Sequence, residues 1–151
     1  MLIYNVQDRW TCGYTADSHG AGPAWFRSAE LRPVSYANDP PLTAWLGSWS
    51  GGKNRVRIDL SKAAPSLHFQ GNATWDGVAG VEHYGDIEGD ALPDGNHLHF
   101  SPKGPAQCTV DLVLFGKFIL ARDNGLCGAI NVHFWGFWRR TASRERDSEA
   151  N

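Results

Sequence analysis

The sequence predicts an all-β chain: an antiparallel up-and-down barrel of about eight strands, preceded by a smaller β unit. Three observations predict it. Apolar residues recur at period two through residues 44–140, and no helical period interrupts them. Seventeen Gly and eight Pro among 151 residues supply turn signals between the runs. Residues 127–140 place Ile130, Val132, Phe134, Gly136 and Trp138 on one face of a long closing strand, which needs a neighbour on each side.

Composition narrows the function classes. The length suits one core, or one core with a fragment attached. A net charge of −2 gives no basic field, so nucleic-acid binding has no electrostatic support. No run is long and apolar enough to cross a bilayer as a helix. Residues 1–5 have neither the basic start nor the apolar segment of a signal peptide. Three Cys allow one internal disulfide and leave one thiol, which taken alone suggests a reducing compartment.

Residues 1–36 read as a partial β unit. Trp10, Cys12 and Tyr14 alternate with Thr11 and Gly13 as a strand, and residues 17–23 form a turn by composition. Ala24-Trp25-Phe26 is a second strand, residues 28–31 suit a 3₁₀ turn, and residues 32–34 leave it extended. This order resembles the second half of a bacterial SH3-like domain, a likeness confined to these residues. Half a small barrel exposes unpaired strand edges, so the unit is expected to pack on the main domain or on a second chain. Residues 37–43, with Pro40-Pro41, form a linker held extended by its prolines.

The barrel, residues 44–140, begins with Trp45 to Trp49 as a short strand and a turn at residues 51–54. Val56, Ile58 and Leu60 alternate with Arg57 and Asp59. Leu67, Phe69, Gly71, Ala73 and Trp75 share the next inward face. Ile87, Gly89 and Ala91 oppose Asp86, Glu88 and Asp90, and Leu98 and Phe100 oppose His97 and His99. Cys108, Val110, Leu112 and Leu114 make another inward face, and Gly116-Lys117 turns the chain. Phe118 and Leu120 mark the answering strand, and residues 123–125 lead into the closing strand. The tail, residues 141–151, is charged and expected to be disordered.

Gly47-Ser48-Trp49 near the barrel start and Arg139-Arg140 at its end resemble the calycin pattern of lipocalins and avidins. The resemblance implies a calycin-like barrel in which an arginine of the last strand stacks on Trp49. Arg140 shares the apolar face with Trp138, which favours it over Arg139. The chain before Gly47 is expected to lack the lipocalin 3₁₀ segment, and the polar residues that hold biotin in avidins have no counterparts that can be placed.

A second likeness covers more of the chain. Trp45-x-Gly47-x-Trp49, Gly71-x-Ala73-x-Trp75, a lone Cys, and Asp123-Asn124-x-x-Cys127-Gly128-x-x-Asn131-Val132-x-Phe134-x-Gly136-x-x-Arg139 resemble the C-terminal domains of uncharacterised bacterial envelope proteins, some linked to LprI-type lysozyme-inhibitor domains. In that pattern Cys108 and Cys127 are natural disulfide partners, bracketing the hairpin at Gly116; the alternative is two separate buried thiols. A disulfide implies a periplasmic or secreted protein. The absent signal peptide is then explained by a start that truncates a longer secreted chain.

No catalytic constellation stands out. Gly47-x-x-x-x-Gly52-Lys53 lacks the hydroxyl and the helix of a phosphate-binding loop and reads as a hairpin turn. His97 and His99 share a face without a third ligand, so no metal site is assigned. Asp86, Glu88, Asp90 and Asp94 form an acidic edge of the kind soluble surfaces carry. His133 beside Trp135 reads as a partly covered surface histidine. Trp135 and Phe137 point away from the core and mark a contact surface, covering the N-terminal unit or forming a homodimer.

These readings converge on a non-enzymatic cell-envelope binding module without cofactor. Its ligand would be a protein, the cell wall, or a small apolar molecule held by Trp75, Phe100 and Trp138 if the barrel is open. A crowded interior would move recognition to the outside. The alternative is an inhibitor of a lysozyme-type cell-wall hydrolase. An enzyme of unknown class ranks last.

Overall fold

The computed structural model describes residues 2–14, 24–32, 35–63, 65–101 and 107–141. The predicted turn at residues 17–23 and the tail beyond residue 141 lie outside the described residues. The chain is all-β. One antiparallel sheet contains β1 (Leu2–Gln7), β2 (Trp10–Tyr14) and β3 (Ala24–Arg27) in sequential order. The second contains β4 (Gly47–Gly51), β5 (Asn54–Leu60), β6 (Leu67–Asp76), β7 (Glu82–Ala91), β8 (His97–Phe100), β9 (Val110–Phe115), β10 (Phe118–Asp123) and β11 (Gly136–Thr141).

The eight strands follow the order β7-β6-β5-β4-β11-β10-β9-β8. Thus the last strand pairs with the first, Arg140 opposite Trp49. The two ends of the order, β7 and β8, approach each other, and the sheet is a nearly closed barrel. Period-two alternation is the physical cause: inward positions on every strand bury an apolar side chain while outward positions stay wet. On β5, for example, Val56 and Ile58 are buried between exposed Arg55 and Arg57. The interior is filled by Trp45, Trp49, Phe69, Phe100, Phe134 and Trp138, each at most 1% exposed.

Five expectations need correction. The closing strand covers only Gly136–Thr141, not residues 127–140. Cys127 is bound in a disulfide, a turn bonds Val132 N–H to the Ala129 carbonyl, and Asn131 holds a left-handed φ of 63°. Val132 and Phe134 still enter the core, but Ile130 is 74% exposed. Trp45 is not in a strand: it closes a 3₁₀ turn at Leu42–Ala44, where no 3₁₀ turn was expected.

Two further corrections concern faces. On β10 the inward residues are Ile119 and Ala121, not Phe118 and Leu120. A two-residue turn pairs Phe115 with Phe118, so inward Leu114 must face inward Ile119. Leu60 ends β5 at 59% exposure, beyond the reach of the core. The fifth correction is β1, which sequence reading left unassigned; it pairs with β2 through a turn at Asp8-Arg9.

Candidate functional site

The candidate site lies where the β10–β11 connection crosses one end of the barrel. Sequence alone marks it as a turn followed by apolar residues. The structure makes it a fastened loop. The Cys108–Cys127 disulfide ties it to the segment before β9. Asn124 accepts from the Thr109 and Leu126 amides at 3.2 and 3.1 Å and donates to the Gln107 carbonyl at 2.6 Å. On the far side, the Ala129 amide donates to the Tyr84 carbonyl of β7. Gly85 permits that approach, since a Cβ there would meet the Cys127 carbonyl oxygen at 2.5 Å.

Asp123, at the end of β10, organises the other limb. Its side chain is 1% exposed and accepts from the Gly125 amide at 3.1 Å and from the Phe134 amide. His133 Nδ1 lies 3.1 Å from Asp123 Oδ1. A carboxylate only accepts, so Nδ1 carries the proton and Nε2 is left as the outward nitrogen. The His133 ring stacks on Trp135, centroids 4.2 Å apart and planes 21° apart. The Trp135 carbonyl accepts from the Nδ2 amide of buried Asn54 at 3.4 Å. The result is an indole 60% exposed yet held at its backbone and on one face.

Leu126 and Ile130 on the same loop and Tyr84 on β7 are also exposed. Tyr84 donates to the Glu82 carboxylate, which raises the phenol pKa above its ordinary value. Chemically, this end offers apolar area, one rigid indole and an oriented imidazole. Asp123 is the hydrogen-bond partner of that imidazole, and the contact orients the ring.

The remaining predicted positions fall elsewhere. Phe100 and Trp138 lie inside the core at 0% and 1% exposure, out of contact with solution. Trp75 is half-buried near the barrel end, its ring 5.2 Å from that of His83. At the opposite end, the Arg140 guanidinium lies 4.6 Å from the Trp49 ring centroid and donates to the Ala44 carbonyl, while Trp49 Nε1 donates to the Trp45 carbonyl at 2.8 Å. Arg139 instead lies over Phe118. Phe137 is half-buried against Phe115 of β9, whose ring also meets Tyr36, the residue before the linker.

His97 and His99 are exposed, and His99 pairs with Asp111 at 2.7 Å. Among the described residues no cluster of three metal-ligating side chains occurs. On β7 the acidic edge meets His68, 3.2 Å from Asp90 and 3.8 Å from Glu88. Asp123 and Asn124 were missed as organisers of the site. Their signal was the Asp-Asn-Gly run, whose short polar side chains bond nearby backbone amides.

Comparison with models of known families, with curated proteins and with solved structures returned no match. Function is therefore argued from the site.

Proposed function

We propose that the chain is a non-enzymatic cell-envelope binding module that engages a protein or cell-wall ligand through its outer surface. One observation carries this reading: the fastened loop at residues 124–135 presents Trp135 outward while spending a buried carboxylate, a disulfide and an amide network on holding it still. Rigid exposed tryptophans are favoured binding anchors, because little conformational freedom remains to be lost on association. The filled barrel supports external recognition over an interior apolar ligand. The Cys108–Cys127 disulfide supports an oxidising compartment, periplasmic or secreted. The Arg140–Trp49 stack beside the 3₁₀ turn supports a calycin-like barrel, and the three-stranded sheet with its 3₁₀ turn supports an SH3-like origin for the N-terminal unit.

Sedimentation with purified peptidoglycan sacculi tests the reading. The oxidised chain is expected to co-sediment saturably, without releasing soluble fragments, and Trp135→Ala to weaken retention roughly tenfold. Release of fragments, or equal retention of the variant, contradicts it. A second reading, inhibition of a lysozyme-type hydrolase, draws on the same disulfide-anchored loop as a wedge for an enzyme cleft. It predicts stoichiometric loss of lysozyme activity that Trp135→Ala abolishes; unaffected lysozyme ends it.

A further inference from the structure

We propose a second binding site, for a neutral carbohydrate chain, on the three-stranded sheet and built on Trp10 and Trp25. Register places Trp10 between Gln7 and Arg27 and places Cys12 opposite Trp25. Alternation therefore puts Gln7, Trp10, Cys12, Trp25 and Arg27 on one face. Cys12 is 5% exposed, whereas Trp10 and Trp25 are 41% and 50% exposed. The two indoles are thus the exposed aromatic rings of this face. Gln7, Asp8, Trp10 and Trp25 line an open cleft of about 430 Å³. On the other face Thr11 is 3% exposed and bonds Ser28 at 2.8 Å, while its cross-strand partner Val6 is 58% exposed.

The lining selects the ligand. Indole faces are electron-rich and attract the polarised C–H groups of a sugar ring. The Gln7 amide and the Asp8 carboxylate beside them can bond hydroxyls, which both donate and accept. Asp8 sits in the β1–β2 turn at a left-handed φ of 52°, a conformation aspartate tolerates, and this holds its carboxylate at the rim. The Arg27 guanidinium lies over Trp10 at 5.8 Å. With Arg27 and Asp8 both present, a ligand of either charge meets a like charge, and a neutral polyhydroxyl chain meets neither penalty. A proline-rich segment also suits aromatic grooves, but proline has no N–H to offer Asp8. A buried protein contact would place aliphatic residues where Gln7 and Asp8 stand.

Titration of the intact chain with neutral cello-, malto- and chito-oligosaccharides tests the site, read by tryptophan fluorescence and amide chemical shifts. At least one series should bind saturably, with shifts centred on residues 7–12 and 24–27. Trp10→Ala and Trp25→Ala should each weaken binding by roughly tenfold or more. Gln7→Ala and Asp8→Ala alter exposed side chains and keep the test valid if a tryptophan variant fails to fold; each should weaken binding by about threefold or more. Trp135→Ala should leave sugar binding unchanged. No saturable response to any series, or binding indifferent to all four substitutions, overturns the proposal. So does a proline-rich peptide shifting these tryptophans where no sugar does.

Discussion

At the scale of single residues, the barrel interior holds three indoles with different hydrogen-bond fates. Trp49 Nε1 donates to the Trp45 carbonyl, and its ring carries Arg140. Trp138 Nε1 and Trp45 Nε1 are buried without a partner among the described residues. Burying a donor unpaired costs about 1–3 kcal/mol, whereas a made bond stabilises by about 1 kcal/mol. Trp49→Phe and Trp138→Phe remove similar volume, but only the first loses a hydrogen bond and weakens a cation–π contact. Trp49→Phe is therefore expected to be the more destabilising by about 1–2 kcal/mol in urea unfolding. Equal costs would show that the Arg140–Trp49–Trp45 arrangement contributes nothing net. The choice of Arg140 over Arg139 could be read from the face shared with Trp138, whereas the stacking on Trp49 is an expectation drawn from the calycin resemblance. The role of Asp123 could not, because its three donors come from backbone and ring positions that only the folded loop assembles.

At the scale of elements, hairpins were legible and the long connection was not. Turn residues and alternation marked β5, β6 and β7, each of which pairs with the strand before it in sequence. The face of β10 needed one more step: counting two residues in the Gly116-Lys117 turn fixes which side chains point inward. Residues 127–135 keep a strand-like alternation of burial at Val132 and Phe134 without being a strand, since disulfide and backbone bonds hold them instead. Two predictions belong here. Reducing the disulfide, which spans a sequence separation of 19, is expected to cost about 3 kcal/mol. That loss lowers the melting temperature by roughly 6–12 °C, measurable by calorimetry; an unchanged midpoint would mean the amide network alone holds the loop. Gly85→Ala drives a Cβ into the Cys127 carbonyl and Gly128. It should cost about 1–3 kcal/mol and raise hydrogen exchange in residues 127–132 before the rest of the barrel. Protection as in the parent chain would contradict the docking of the loop on β7.

At the scale of the whole molecule, the fold is a nearly closed barrel with a solid interior. Closure explains why both ends carry special devices. One end is stoppered by Trp45, Trp49 and Arg140, and the other by the fastened loop with Val132 and Phe134. A solid interior moves recognition outward, to Trp135 on the loop and to the indole pair of the smaller sheet. The most direct test is a nuclear Overhauser map of the oxidised chain. Cross-strand contacts should join Ser48, Trp49 and Ser50 to Thr141, Arg140 and Arg139, as the β4–β11 register requires. If those contacts are missing while the β4–β5 and β10–β11 contacts are present, the sheet is open between β4 and β11 and the account fails.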